Sequence, residues 1–310
     1  MVIIKSALFE RRSAIRQPML IKKKKTKGQI AAYVFLLPAL IVFALFKYYP
    51  ILQGIFISFF EIDIVNLPGR FSGIDNYLRA FSDAKFYAAL GNNIKFLIYG
   101  MLMQFWPPII LAMLINEVVR GKTAIRLFYF IPAVAPGIAI AILFKYIWKP
   151  DYGLANYLLS MLNIPPQMWL NDPKLVYFCM AFPGMILSGG MNMVIYLAAM
   201  QDVPREHYEA AMIEGAGFFR RFFSITLPEI RNIIGIMFVL DVIGRFNEIT
   251  TPLVMTGGGP VGSTETLILY AYKQATHHLD YSYAITMANI VFIIVFIITA
   301  FQMKLTGKDD

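Results

Sequence analysis

The sequence has little charge for its length. Only 15% of the 310 residues are Asp, Glu, Lys or Arg, whereas 58% are hydrophobic and the mean hydropathy is +0.61. A soluble domain of this size carries more charge and could not hide so much apolar surface. The composition therefore excludes an ordinary soluble protein and predicts an all-α integral membrane protein.

Cysteine and histidine are also scarce. The single cysteine, Cys179, lies inside an apolar run, so it can form no internal disulfide and no metal cluster can be built around it. His277 and His278 are adjacent and therefore point in different directions, and no Cys, Asp or Glu stands at ligand spacing from them. No Ser/His/Asp set and no pair of carboxylates flanking a cleft is visible. We expect no metal site, no catalytic site and no enzyme.

A nucleotide site is not expected either. Gly121-Lys122-Thr123 is similar to the end of a phosphate-binding loop, but that motif requires a glycine where Asn116 stands. The tripeptide is better explained as a basic turn between two membrane spans.

The chain is rich in long apolar stretches. Each is near the roughly 20 residues that a helix needs to cross the hydrocarbon core of a bilayer. Six transmembrane helices are predicted, at about 28–46, 93–116, 127–148, 175–200, 232–255 and 281–303. The first is expected to be an uncleaved helix, because no small-residue cleavage site follows it.

The net charge of +9 is distributed along the ends of these stretches and forms no single patch, so no nucleic acid partner is expected. Basic residues concentrate in the segment 1–29, the turn 120–126 and the loop 202–231. The positive-inside rule places these segments and both termini in the cytoplasm. The predicted domains are a basic cytoplasmic segment, 1–29, and a transmembrane domain, 30–310, with its core at about 90–305.

The loop 202–228 between the fourth and fifth spans is polar. Pro204 suits the first turn of a helix, and Glu206 and Glu209 favour its positive N-terminal end. Gly215 and Gly217 can end that helix with a positive φ. The pattern predicts a short helix-turn-helix with a small-residue surface on the cytoplasmic face.

At this loop the chain resembles a known family. The spacing Glu-Ala-Ala, three residues, Gly, nine residues, Ile-x-Leu-Pro is similar to the "EAA" loop of permease subunits in binding-protein-dependent ABC importers. The matching positions are Glu209, Ala210, Ala211, Gly215, Ile225, Leu227 and Pro228. Segments 71–77 and 256–267 resemble external segments of the carbohydrate-uptake, maltose-permease-like members, so the resemblance covers nearly the whole chain beyond about residue 30.

The resemblance implies the type I (MetI-like) importer fold and a set of partners. These are a second homologous permease subunit forming a heterodimer, two ATP-binding cassette subunits, an extracytoplasmic solute-binding protein and the lipid bilayer of a bacterial or archaeal cytoplasmic membrane. ATP and Mg²⁺ would be used by the cassette subunits and no cofactor by this chain. The residues that it implies for coupling to the ATPase are Glu206, Glu209, Ala210, Ala211, Gly215, Leu227 and Pro228.

Ionisable residues inside a predicted span are costly and indicate function. Asp241, Gly244, Arg245 and Glu248 are spaced i, i+3, i+4 and i+7, which predicts one face of the fifth helix, with Asn247 nearby.

On the fourth span Ser188 and Asn192 share a face, and Gly189 and Gly190 beside them permit a close helix approach. The resemblance implies that helices at these places form a sugar path. Two interpretations remain open: the charged groups bind substrate, or they pair with one another.

The predicted function is uptake of a carbohydrate, of oligosaccharide size. A glycerol-3-phosphate or polyol importer of the same family is an alternative. An ion-coupled secondary transporter is a further one, although the two matching halves with broken helices that it predicts are not visible.

Overall fold

The computed structural model describes residues 25–62, 69–117 and 121–306. By its internal contacts the chain divides into two units, Met1–Gln53 and Gly54–Asp310. The helix of the first unit, α1, spans Lys25–Phe43 and continues through a π-helical turn, Ala44–Tyr48, into α2, Tyr49–Ile57, which runs into the second unit. The helix thus continues past residue 46, where the first predicted span ends. Most of the predicted basic segment 1–29 lies outside the described residues.

The second unit is helical apart from one short hairpin. Strands β1, Phe60–Glu61, and β2, Arg70–Phe71, pair antiparallel, with Phe60 opposite Phe71. The α-helices are α3 Asp75–Ser82, α4 Ala84–Gly100, α5 Trp106–Glu117, α6 Lys122–Ala133, α7 Gly137–Ile147, α8 Leu154–Met161, α9 Val176–Gln201, α10 Arg205–Ile213, α11 Phe218–Arg221, α12 Leu227–Glu229, α13 Arg231–Phe246, α14 Leu267–Thr276 and α15 Tyr281–Thr306. Turns of π-helix span Met101–Phe105, Phe222–Thr226 and Pro252–Thr256, and a 3₁₀ turn spans Trp169–Asn171.

Within the described residues, four helices are long and apolar enough to cross a membrane, and two bent helix pairs pass the same test when each is taken together. The continuous ones are Tyr33–Ile57, Ala84–Glu117, Val176–Gln201 and Tyr281–Lys304. The bent pairs are Lys122–Ala133 with Gly137–Ile147, at 84°, and Phe218–Glu229 with Arg231–Phe246, at 71°. The prediction of a helical membrane protein is confirmed, with four unbroken spans, or six if each bent pair is one span.

Two predicted spans are not continuous helices in the structure. The third, 127–148, breaks between α6 and α7, because a residue before proline avoids helical geometry and Pro136 lacks an N–H. The fifth, 232–255, is helical only as far as Phe246 and ends in the turn Pro252–Thr256. The first break lies in apolar sequence, so hydropathy alone did not show it, whereas the second coincides with the polar residues Asn247 and Glu248.

The second predicted span starts earlier than expected, because Asp83 caps it. Its carboxylate accepts a hydrogen bond from the N–H of Lys85 (2.8 Å) and from the hydroxyls of Tyr270 and Tyr283 (both 2.7 Å). Burial opposes ionisation of Asp83, but these donors more than offset it and hold its pKa below the ordinary value. Burial, followed by the bond to Asp83, raises the pKa of Tyr270 to about 12. Asp83 therefore fastens the start of α4 to α14 and α15.

Helix α9 packs against two neighbours across small residues. The buried side chains of Met193, Leu197 and Met200 contact a core that α5 supplies through Ile109 and Ala112.

On its other side α9 approaches α6 at a glycine. A Cβ on Gly190 would lie 2.2 Å from the carbonyl oxygen of Tyr129, whereas one on Gly189 would find only an ordinary contact, 3.8 Å from Leu111. The close approach predicted for this glycine pair therefore occurs at Gly190.

Candidate functional site

Helix α13 carries an ion pair on the face that was predicted to be charged. Arg245 donates from Nε to Asp241 Oδ2 and from Nη2 to Asp241 Oδ1, both at 2.7 Å. Such two-point guanidinium–carboxylate contacts are among the stronger hydrogen bonds in proteins. The Arg245 side chain is only 6% exposed. Of the two interpretations left open by the sequence, mutual pairing is therefore present in this structure.

Gln104, which sequence reasoning missed, completes this network. It lies in the π turn between α4 and α5, and its Oε1 accepts a hydrogen bond from Arg245 Nη1 at 3.2 Å. Its Nε2 donates to the carbonyl oxygen of Ala181 at 2.7 Å, and its own carbonyl accepts from Ser188 Oγ at 3.2 Å. Gln104 thereby joins α13 to α9. A lone amide inside an apolar run was the signal that could have identified it.

Two glycines make room for this polar network. A Cβ on Gly100 would lie 1.7 Å from Arg245 Nη1, and one on Gly184 would lie 2.3 Å from Gln104 Nε2. Both separations are shorter than any real contact, so a side chain at either position would displace the guanidinium or the amide. No local sequence pattern marks these glycines, because the groups they accommodate come from distant parts of the chain.

Glu248 does not join the pair. The helix ends at Phe246, so the i+7 spacing no longer follows one helical face, and the prediction of a single helical face was wrong at this residue. Its Oε1 accepts a hydrogen bond from the N–H of Thr251 at 2.7 Å, in the turn that follows. Glu248 is half-buried and forms no ion pair within the described residues.

These groups line a cavity of about 520 Å³. Five of the seven predicted path residues lie on its wall, namely Asn192, Asp241, Gly244, Arg245 and Glu248. Sequence reasoning missed further polar groups there, at Gln104, Thr250 and Thr251. Apolar side chains, among them Ile140, Met180, Leu187 and Leu240, form the rest.

Two predicted path residues lie elsewhere. Ser188 is directed to the backbone of Gln104, and the exposed Asn247 donates to the carbonyl oxygen of Ile243 at 2.8 Å. The roles of the other five stay predictions. Chemically, the wall offers carboxylate, amide and hydroxyl groups beside apolar surface, which suits a ligand with many hydroxyl groups.

The loop 202–228 forms a short helix followed by a turn, as the spacing predicts. Helix α10 begins directly after Pro204, and Gly215 adopts the left-handed conformation, with φ 79°, just beyond its end. Gly217 has φ −67° and precedes α11, so it begins the next helix and does not end the first. Glu206, Glu209 and Ala210 are exposed, Ala211 is half-buried, and Leu227 and Pro228 open α12.

Polar contacts tie the loop 202–228 to the helices around it. The hydroxyls of Tyr208 and Thr226 lie 2.9 Å apart, which connects α10 to the turn that leads into α12 and α13. Arg221 Nη2 lies 3.4 Å from Glu117 at the end of α5. Displacement of α10 would therefore reach α13, which carries Asp241 and Arg245.

Residues 108–306 match the family described as the binding-protein-dependent transport system inner membrane component. The chain belongs to this family. Transport in this family depends on a binding protein, so the chain is a transport component and not an enzyme. The predicted permease identity and the multi-pass location in the cell membrane are thereby confirmed.

Relatives match over almost their whole length. A probable ABC transporter permease of Bacillus subtilis is 33% identical over 92% of this chain and 99% of its own. A trehalose/maltose transport system permease of Thermococcus litoralis is 29% identical, covering 92% of this chain and 96% of its own. A multiple sugar-binding transport system permease of Streptococcus mutans is 30% identical, covering 92% and 98%.

Solved structures share the fold. A chain of a bacterial ABC transporter involved in import of the acidic polysaccharide alginate has a TM-score of 0.79 at 22% identity, covering 91% of this chain and 96% of its own. A chain of the alginate transporter in complex with its pentasaccharide-bound periplasmic protein has a TM-score of 0.80 at 23% identity, covering 90% and 95%.

Proposed function

We propose that this chain is one permease subunit of an ATP-driven importer that takes up a carbohydrate, of oligosaccharide size, delivered by an extracytoplasmic binding protein. The observation that carries the proposal is the 520 Å³ cavity, whose wall combines carboxylate, amide and hydroxyl groups with apolar side chains. Sugars present hydroxyl groups that both donate and accept, together with apolar ring faces. Relatives named for trehalose/maltose, multiple sugars and arabinooligosaccharides support the substrate class.

The charges on the cavity wall favour a neutral sugar. Arg245 is the one cation among the described wall residues, and its guanidinium is already bonded to Asp241 and Gln104. Glu248 keeps a carboxylate that no described cation balances. A uronate, or the phosphate of glycerol-3-phosphate, would meet this negative charge without a free cation to compensate it.

The proposed partners are a second homologous permease subunit, two ATP-binding cassette subunits that use ATP and Mg²⁺, and the binding protein. Helix α10 is proposed to dock on a cassette subunit through the coupling residues named from the family resemblance. Exposed apolar side chains lie at the end of this helix, at Met212 and Ile213, and soon after it, at Phe219 and Phe223. Large apolar side chains exposed beside one another in the sequence on this loop favour a protein partner. Cassette movement would reach the cavity through the Tyr208–Thr226 contact and α13.

The proposal is tested on the complete complex in proteoliposomes, with ATPase activity and uptake measured against binding protein loaded with maltose, maltotriose, oligogalacturonate or glycerol-3-phosphate. We expect stimulation by a neutral sugar. Ala210→Trp should abolish stimulated ATPase activity and uptake, because the indole would block close approach to the cassette, whereas Ala210→Ser should preserve both. Sugar binding by the binding protein should be unchanged throughout.

Normal uptake by the Ala210→Trp complex would contradict docking through α10. Uptake driven by an ion gradient without cassette subunits would favour the secondary-transporter alternative. Stimulation by glycerol-3-phosphate alone would refute the neutral-sugar assignment.

A further inference from the structure

A second cavity, of about 390 Å³, lies where the end of α7 meets the segment 253–260. It shares no wall residue with the 520 Å³ cavity. Its wall includes Lys145, Trp148 and Lys149 on one side and Gly257 and Gly259 on the other. The proposed transport function does not use these residues, so a ligand bound in this cavity is independent of the transported substrate.

The wall carries positive charge without acidic compensation. Lys145 and Lys149 are both half-buried, and neither forms an ion pair within the described part of the chain. Lys145 Nζ donates only to the carbonyl oxygen of Val254, at 2.8 Å. The described wall contains no Asp or Glu. Glu265, beyond the glycines, is already bonded to Lys273 at 2.6 Å.

Trp148 adds a donor without an acceptor. Its side chain is 7% exposed, and its indole Nε1–H has no hydrogen-bond partner among the described residues. Neighbouring rings hold it in place, with centroids of Trp169 and Phe182 at 4.9 and 5.7 Å. Buried donors are almost always paired in native proteins, and Trp148 lines the cavity, so a bound group with an acceptor oxygen would satisfy this donor. Two ammonium groups and an indole N–H together select an anionic oxygen.

We propose that this cavity binds the phosphate of an anionic phospholipid headgroup. The site lies at the end of a candidate membrane span, namely the bent pair whose second helix is Gly137–Ile147. Trp and Lys at such a position are typical of the membrane–water interface, and clustered lysines attract anionic headgroups. On the same helix Ile142, Leu143 and Tyr146 are exposed and offer apolar surface to the acyl chains. The location at the end of a span and the exposed apolar side chains beside it thus favour a lipid over a soluble anion.

The test uses the purified complete complex in nanodiscs of phosphatidylcholine, with or without phosphatidylglycerol. Native mass spectrometry measures the phosphatidylglycerol retained after the nanodisc is removed. We expect the Lys145→Met/Lys149→Met variant to retain it about 25-fold more weakly, since each lysine near a headgroup contributes about fivefold. The control Lys85→Met/Lys174→Met removes the same charge from exposed positions and should retain the lipid normally.

Trp148→Phe keeps an aromatic ring but removes the donor, and should weaken retention while the complex stays assembled. Equal retention in the Lys145/Lys149 variant and its control would overturn the proposal. A soluble anion would be the ligand if millimolar inorganic phosphate displaced the lipid. It would then also stabilise the complex to the same extent in nanodiscs of pure phosphatidylcholine. Loss of binding-protein stimulation with unchanged lipid retention would show that an acidic group of that protein occupies the cavity, and the lipid proposal would be wrong.

Discussion

At the scale of single residues, Arg245 is an internal cation with partners inside the chain, and its role in the substrate path stays a prediction. Three of its nitrogens already donate, two to Asp241 and one to Gln104. A buried charge without a counter-ion has a high free-energy cost, and removal of one partner of a buried pair leaves the other without its counter-ion. Glu248 lines the same cavity, and its carboxylate belongs to no ion pair within the described residues.

We expect Arg245→Met to destabilise the complex by about 3–5 kcal/mol, because Asp241 loses its counter-ion. Asp241→Leu should cost a similar amount, whereas the double variant Asp241→Leu/Arg245→Met should lie within about 1 kcal/mol of the parent. Denaturant unfolding of the four proteins measures the coupling.

Glu248→Gln is the matched control for the cavity. It removes a carboxylate that belongs to no described ion pair, so it should leave stability unchanged while altering uptake.

Additive losses in the double variant Asp241→Leu/Arg245→Met would show that Asp241 and Arg245 do not act as a pair.

At the scale of elements, close helix approach depends on one glycine of an adjacent pair. Helix α9 meets the backbone of α6 at Gly190, and the neighbouring Gly189 faces α5 at an ordinary distance. Small residues at helix interfaces allow backbones to come close in membranes. This contact places α6, the first half of the bent pair, directly against α9.

We expect Gly190→Ala to destabilise the complex by about 1–3 kcal/mol, since its methyl group would collide with the backbone of Tyr129 and force the helices apart. Gly189→Ala, one residue away and equally buried, should change stability by less than about 1 kcal/mol and could improve it through helix propensity. Thermal unfolding of the two variants compares them directly. An equal loss for both would indicate a backbone effect and not the contact with α6.

At the scale of the whole molecule, orientation follows from where the basic residues lie. The turn 120–126 was predicted to be cytoplasmic, and the segment 256–280 external, on the positive-inside rule. The described residues contain four continuous candidate spans, or up to six if each bent pair is one span, and six spans would place both termini on the same side. The placement of both termini in the cytoplasm stays a prediction.

We expect Thr123→Cys to react with a membrane-impermeant maleimide only after cells are permeabilised, and His278→Cys to react in intact cells. Both positions are exposed. The native Cys179 is fully buried and should not react with the maleimide, so it need not be replaced. Labelling is read by mass shift on a denaturing gel. The reverse pattern of accessibility would invert the orientation and would place α10 on the wrong face for an ATPase.

Composition and local spacing determined the class of protein. Apolar stretches indicate membrane spans because a helix satisfies its own backbone hydrogen bonds in lipid. This property depends only on consecutive residues of the sequence. The loop from Glu209 to Pro228 is likewise a local pattern, and its spacing alone was sufficient to identify the family that residues 108–306 then confirmed.

Only the tertiary structure decided how the polar groups inside the spans are used. Gln104 meets Arg245 across 141 positions, and Gly100 matters only because that guanidinium lies beside it. The surroundings of Lys145, Lys149 and Trp148 likewise depend on contacts with a distant segment, which includes Val254. Hydropathy averages over a window of sequence, whereas pairing of buried charges and donors is settled atom by atom when the helices pack.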